Sequence, residues 1–287
     1  MPRRSRFCRR AGACNGDSNI ESLRFDPMIK AQPLRGPFGW LGQVGLALVT
    51  LWMCLKLYGS ILLGRDKLDL SAFTEALRQS GLSMLPAITV VTLAAGLILG
   101  VQIESVLDRL DLPSLVLLSA TYGVLVQLVP LLVGILVAGR AGVALAVRQA
   151  TMIVTGEMDG LLVIGINPLQ FTVGPVLLAM LLMSFAFAVW GTLVTFAAAY
   201  CWLWVFADIP PSQFLDAMRR GLEFQDLFEA LAKPLIFALL IALIAAVNGT
   251  NAGRAPEGIS EAATRTMIGA VTAILLADLL FILLPGG

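Results

Sequence analysis

The side chains that could do chemistry are few, and one polar segment between apolar runs holds the most informative of them. This segment, residues 139–170, lies between two apolar runs and ends near Asn167-Pro168. It carries two arginines and two acids: Arg140, Arg148, Glu157 and Asp159. The chain has no histidine, which removes His-based triads, imidazole proton relays and most zinc sites. The pattern therefore favours contact with a soluble partner over catalysis.

The other candidate ligands do not form a recognisable site. The four cysteines are scattered without CxxC spacing, and Asp159-Gly160 alone is not the acid cluster that a metal requires. There is no GxxxxGK[ST] phosphate loop, so any ATP-driven work must come from another chain. The formal net charge is +1 and no basic stripe with interleaved aromatic residues occurs, so nothing indicates nucleic-acid binding.

Composition places the chain in a membrane. Of its 287 residues, 58% are hydrophobic and 14% are charged, whereas soluble domains average about 45–50% and about 25%. We predict an all-α integral membrane protein with five transmembrane helices, each formed by roughly 20 mostly apolar residues. The predicted spans are about 81–103, 113–138, 171–206, 234–250 and 265–284.

An additional apolar stretch, about 38–64, contains Lys56 and two tryptophans. This pattern predicts an N-terminal interfacial helix, although the stretch could also span the membrane. Residues 1–35 form a basic tail, which we predict to be disordered, and residues 36–287 form the membrane domain. The positive-inside rule then places 139–170 and 249–265 in the cytoplasm and 207–233 outside.

Polar residues inside predicted spans usually have a function. Gln127 lies near the middle of the second span and Asp278 within the fifth. Because a charge at the bilayer centre costs at least ~2.5–3.5 kcal/mol on insertion scales, Asp278 should face protein, water or a partner. It either forms structural hydrogen bonds or lines a cavity. Gly96 and Gly100 form a GxxxG pair, which we interpret as packing within the bundle in preference to a dimer seam.

Three motifs occur in order along the chain: Ala138-Gly139-Arg140 with Gly142, Gly165-Ile166-Asn167-Pro168, and Ala263-Thr264-Arg265. Through these motifs the chain resembles the MlaE/YrbE family of ABC-transporter permeases, and the resemblance covers about residues 36–284. The chain departs from the family pattern at several charges. Val126-Gln127 replaces an Arg-Glu pair, Arg148 replaces a glutamate, and Asn167 replaces an aspartate.

The resemblance implies a multi-pass permease of the bacterial inner membrane that moves phospholipid or another hydrophobic substrate to or from the outer envelope. It implies a cytoplasmic ABC ATPase, a periplasmic MCE-domain protein and a second permease protomer, most simply a homodimer. The permease would be no enzyme and would bind no cofactor directly, since ATP acts through the partner. A secondary transporter and a non-transporting membrane scaffold are the alternatives.

The resemblance also assigns roles to individual residues. The residues expected to couple to the ATPase, within a cytoplasmic coupling loop at 139–170, are Met152, Thr155, Glu157, Asp159, Asn167 and Pro168. The residues expected along the lipid path are Leu99, Gln102, Leu110 and Gln127. Arg140 and Asp278 are expected to be structural or cavity-lining polar residues.

Overall fold

A computed structural model describes residues 45–52, 56, 73–74, 77–78, 81, 83–107, 119–120, 122–165, 168–207, 210, 212, 214–216, 219 and 224–283. Every regular element within these ranges is helical, and five helices are long and apolar enough to cross a membrane. The predicted all-α membrane architecture with five spans is therefore confirmed.

We number the helices in chain order as α1 to α6. Their bounds are α1 Leu85–Leu107, α2 Gly123–Val154, α3 Glu157–Val163, α4 Pro168–Phe206, α5 Phe224–Thr250 and α6 Glu257–Leu283. The parts that could cross a membrane are Leu85–Val106, Gly123–Val154, Thr172–Phe206, Phe228–Thr250 and Glu257–Leu283. Helices α2, α4 and α5 supply most of the buried core, whereas α1 and α6 expose many large apolar side chains.

The polar loop predicted at 139–170 is shorter in the structure. Helix α2 continues past residue 138 to Val154, because Leu145, Ala146 and Ala150 form an apolar face that is buried in the core. Non-helical backbone is therefore confined, within the described part of this segment, to residues around 155–156 and 164–165. Helix α5 begins at Phe224 and α6 at Glu257, each earlier than the predicted spans.

Little of the N-terminal region is described. Residues 45–52 are helical, within the interfacial helix predicted at 38–64. Most of that stretch, and all of the tail predicted to be disordered at 1–35, lies outside the described residues.

Helix α2 contains two wide π-helical turns, Gly123–Leu128 and Ala138–Gly142. The second turn has the sequence AGRAG, so it coincides with the first of the three motifs. Gly142 lies against α5, where an added Cβ would come within 2.5 Å of Ile241 Cγ2. The motif therefore combines an irregular turn, a feature often found at functional sites, with a close helix–helix approach.

Helices α1 and α4 pack through the GxxxG pair. A Cβ at Gly96 would overlap the backbone of Thr195, and a Cβ at Gly100 would lie 2.7 Å from Trp202 Cβ. These contacts confirm that the small residues serve packing within one chain.

Side-chain hydrogen bonds also join α1 to α4. Thr195 Oγ1 donates to the carbonyl of Thr92 at 3.2 Å, and Trp202 Nε1 donates to Glu104 at 2.7 Å. Cross-helix hydrogen bonds contribute to association where lipid supplies no hydrophobic drive.

Thr266 on α6 is fully buried, and its hydroxyl has no hydrogen-bond partner among the described residues. An unsatisfied buried hydroxyl costs about 1–3 kcal/mol. We expect Thr266→Val to raise the stability of the protein by about 1 kcal/mol, measured as a higher thermal midpoint in detergent. The matched variant Thr92→Val should lower it, because the buried Thr92 hydroxyl donates to Ile88 O at 2.7 Å. A lower midpoint for Thr266→Val would show that its hydroxyl has a partner.

Candidate functional site: a short exposed helix and a buried ionic cluster

The first candidate site is the short helix α3 at the end of α2. Two glycines flank it, Gly156 with φ 78° and Gly165 with φ 82°. Both lie in the left-handed region, which L-residues with side chains rarely adopt, so the chain can reverse direction on each side of the helix. None of the seven residues of α3 is buried. The sequence thus builds a short helix at the surface of the bundle, with no fully buried residue.

Helix α3 exposes both charges and apolar side chains. Glu157 and Asp159 occupy its first turn, where carboxylates interact favourably with the helix dipole. At the other end, Leu162 is exposed, Val163 is 89% exposed and Ile164 is 73% exposed. These three consecutive apolar residues lie beyond the membrane-crossing part of α2, which ends at Val154.

A cavity of about 610 Å³ lies between α3 and the ends of α2 and α4. Its lining residues come from all three helices: Arg148, Thr151, Met152, Glu157, Gly160, Leu161, Ile164 and Thr172. A cavity of this size can accommodate several side chains or a small ligand, since ligand pockets typically measure about 300–1,000 Å³.

An ion pair connects α3 to the turn between α5 and α6. Arg254 Nη2 lies 3.4 Å from Asp159 Oδ2, and both side chains are exposed. The two segments therefore lie at the same end of the bundle, as the predicted topology requires. A second exposed ion pair near this end joins Glu261 to Arg265 within α6.

Apart from Asp159, which pairs with Arg254, the predicted coupling residues fall into three groups. Met152 is buried and lines the cavity together with Glu157. Thr155 is exposed at the end of α2, where its hydroxyl donates to the carbonyl of Thr151 at 3.0 Å. Pro168 begins α4, a position that suits its fixed φ, whereas Asn167 lies outside the described residues.

Arg140, predicted to be a structural or cavity-lining residue, lies within the second π-helical turn of α2. Its side chain is exposed. Among the described residues it makes no ion pair within 4 Å.

The second candidate site is a buried ionic cluster near the opposite end of the bundle. Its centre is Lys233 on α5, which is only 1% exposed. The Lys233 ammonium lies 2.8 Å from Glu229 Oε1, and it donates hydrogen bonds to Val126 O at 3.1 Å and Gln127 Oε1 at 3.3 Å. Its three donors thus meet α5 itself and the first turns of α2.

Asp278 on α6 completes the cluster. Its Oδ1 lies 3.8 Å from the Lys233 ammonium, and its Oδ2 accepts a hydrogen bond from the Gln127 amide. The ring of Phe281 lies 5.6 Å from the same ammonium, within the range of a cation–π contact. Asp278 is therefore held by a hydrogen bond from Gln127 and by an ionic contact with Lys233.

The described residues of the predicted lipid path lie in different surroundings. Gln127 belongs to the ionic cluster. Leu99 on α1 is half-buried and packs against the core, and Gln102 is exposed toward the end of the same helix. Among the described residues, no hydrogen bond or ion pair connects the Gln102 side chain to the cluster. Leu110 lies outside the described residues.

Sequence reasoning missed Lys233 and Glu229, because the fourth span was predicted to begin at residue 234. A signal was present: Glu229 and Lys233 have the i, i+4 spacing of a helical ion pair, and they adjoin an apolar run. Pro234 directly follows Lys233 and suggested a helix start. In the structure Pro234 lies inside α5, and the Ser184 hydroxyl of α4 donates to its carbonyl at 3.0 Å.

Comparison with known proteins gives a consistent result. Residues 73–284 match the family described as Permease MlaE. A probable ABC transporter permease protein of Rickettsia felis is 26% identical over 216 residues, which cover 75% of this chain and 83% of that protein. A probable ABC transporter permease protein of Rickettsia prowazekii is 25% identical over 216 residues, with the same shares of each chain. Another such protein, from Synechocystis, is 28% identical over 159 residues, which cover 53% of this chain and 58% of that protein.

The family match includes all six numbered helices and therefore both candidate sites. The sequence resemblance is confirmed: this chain belongs to the MlaE permease family.

Proposed function

We propose that the protein is the membrane subunit of an ABC-type transporter that moves phospholipid or a similar hydrophobic molecule, and that a separate ATPase docks on α3. The observation that carries the proposal is α3 itself, a helix with no buried residue and three consecutive exposed apolar residues at its end. The similarity of the chain to proteins named as probable ABC transporter permeases supports the same role.

The chemistry of α3 favours a protein partner over the membrane surface. Helices that lie on membranes are typically rich in lysine and arginine, which are attracted to anionic lipids. Helix α3 contains two acids and no basic residue. Exposed apolar side chains rimmed by polar residues are typical of protein–protein contacts. A soluble ATPase would cover Leu162, Val163 and Ile164.

The transmembrane surface suits a lipid substrate. Helices α1 and α6 expose long apolar faces, for example Val90 and Ile98 on α1 and Leu276 and Leu280 on α6. In the proposed assembly these faces contact lipid tails and a second permease copy. The polar groups of the ionic cluster lie near the end opposite α3, toward the side where an MCE-domain partner would receive the substrate.

The proposal is tested by purifying the tagged full-length protein from its native membrane and identifying its partners by mass spectrometry. We expect an ABC ATPase to co-purify with the wild type. Val163→Glu with Ile164→Glu should reduce its recovery at least about tenfold, because two charges would be desolvated at the contact. Leu215→Glu, an exposed position at the opposite end of the bundle, serves as the control.

The variants must keep the wild-type thermal midpoint and detergent elution volume, so that a loss of recovery reports on docking. Recovery of the wild-type chain without any ATPase would overturn the proposal and leave an independent secondary transporter or a membrane scaffold. Equal ATPase recovery with the α3 double variant would place the docking surface elsewhere.

A further inference from the structure

We propose that charge in the cavity beside α3 selects the partner, and that an acidic side chain of the ATPase enters this cavity and pairs with Arg148. The proposal rests on the ATPase docking proposed above and names the residue that recognises the partner. Arg148 extends from α2, and Glu157 extends from α3 into the same cavity.

The charges at this end of the bundle divide into paired and unpaired groups. Asp159 pairs with Arg254, and Glu261 pairs with Arg265. Among the described residues, the two charged residues of the cavity, Arg148 and Glu157, make no ion pair within 4 Å and no side-chain hydrogen bond. Each is therefore available to a partner, whereas Asp159, which the sequence placed among the coupling residues, already has an intramolecular partner.

The cavity would change the environment of Arg148 once it is covered. Its other walls include the buried Met152 and the apolar side chains of Leu161 and Ile164. A docked protein would exclude water from this space, and a desolvated arginine needs a carboxylate or an equivalent acceptor. Charge complementarity of this kind sets partner specificity and register more than total affinity.

The presence of Glu157 distinguishes a protein partner from a phosphate-bearing ligand. A phosphate group carries more negative charge than a carboxylate, and it would have to approach Arg148 in a cavity that also contains a carboxylate. A protein segment can instead bring an acid to Arg148 and a basic residue to Glu157. The exposed apolar residue Ile164 lines the same cavity and directly follows the exposed Val163 in the chain, so one partner can cover both features.

The test uses zero-length cross-linking of the co-purified complex. In the variant Arg148→Lys, a water-soluble carbodiimide would join the new amine to a carboxylate in contact with it. The amide forms with loss of water, which the carbodiimide takes up as a urea. The Glu157→Gln substitution is added to remove the carboxylate of the same cavity. We expect a cross-link to an aspartate or glutamate of the ATPase that is absent from the wild type.

Two matched substitutions measure how much the positive charge of Arg148 contributes to ATPase recovery. Arg148→Glu should reduce ATPase recovery about tenfold or more, since like charges would meet in the contact, while Arg148→Lys should retain most of it. Arg219→Glu, an exposed arginine at the opposite end of the bundle, should have no effect.

The outcomes separate this proposal from the docking proposal. If the wild type recovers no ATPase, docking itself fails. If the ATPase is recovered but Arg148→Glu leaves recovery unchanged, or the cross-link forms only within the permease, then docking stands and the role of Arg148 is overturned. Arg148→Glu could also leave ATPase recovery unchanged but remove a phospholipid that co-purifies with the wild type. This result would assign the cavity to a lipid headgroup, and it would overturn the role of Arg148 in partner recognition.

Discussion

Replacing Lys233 by methionine is expected to destabilise the protein by about 3–5 kcal/mol, the usual cost of breaking a buried ion pair from one side. Lys233 is 1% exposed and meets Glu229, Val126 O, Gln127 and Asp278 within 3.8 Å. Without the ammonium, the Asp278 carboxylate would be left near a second acid, with the Gln127 amide as its hydrogen-bond donor.

The measurement is the thermal midpoint of the purified protein in detergent, together with its expression in the membrane. The double variant Lys233→Met with Asp278→Leu should recover much of the loss, because removing both charges also removes the desolvation penalty. Lys56→Met, which removes an exposed lysine, is the control. A midpoint unchanged by Lys233→Met would contradict the ionic cluster. So would a double variant whose loss of stability exceeds the sum of the losses in the two single variants.

The second large effect is expected at the contact between α1 and α4. Gly96→Val should destabilise the bundle by about 3 kcal/mol, at the upper end of over-packing effects. A Cβ at Gly96 overlaps the backbone of Thr195 and lies 2.8 Å from Ala198 Cβ, so neither neighbour is a flexible side chain that could move away. The helices would separate and the hydrogen bond from Thr195 to Thr92 O would be lost.

Gly123→Val provides the matched control, because a Cβ at Gly123 would have no neighbouring atom within 4 Å. Both substitutions place valine in a helix, so the difference between their thermal midpoints reports on packing alone. Equal midpoints would show that α1 does not approach α4 at Gly96.

The sequence predicted the helices well where one physical rule decides the outcome. A run of about 20 apolar residues must form a membrane helix, since no other single segment satisfies its backbone in lipid. Five such runs were predicted to span the membrane, and the described part of the chain contains five helices long and apolar enough to do so. The GxxxG pair was also interpreted correctly as packing within the chain, because Gly96 and Gly100 both contact α4.

The helix ends were harder to predict. Residues 139–154 contain two arginines and two glycines, which suggested a loop, but the opposite face of the same residues is apolar and buried. The helix therefore continues because tertiary packing outweighs the local polar pattern. A single sequence shows which residues are polar, and the neighbouring helices decide which face of them is covered.

The candidate sites were predicted only in part. Glu157 and Met152 could be expected near the partner surface, and the structure brings both to one cavity. The pairing of Lys233 with Asp278 joins residues on different helices, and no local spacing encodes that contact. The ion pair of Asp159 with Arg254 likewise joins residues far apart in the chain, so no local spacing encodes it.

The proposed movement of lipid, with energy from a partner ATPase, can be measured in liposomes. The co-purified complex is reconstituted with a fluorescent phospholipid, and lipid movement is followed with and without ATP. We predict movement that requires ATP and is lost with the Val163→Glu and Ile164→Glu double variant, which should not retain the ATPase. ATP hydrolysis by the intact complex without any lipid movement, or lipid movement that is independent of ATP, would contradict the proposed function.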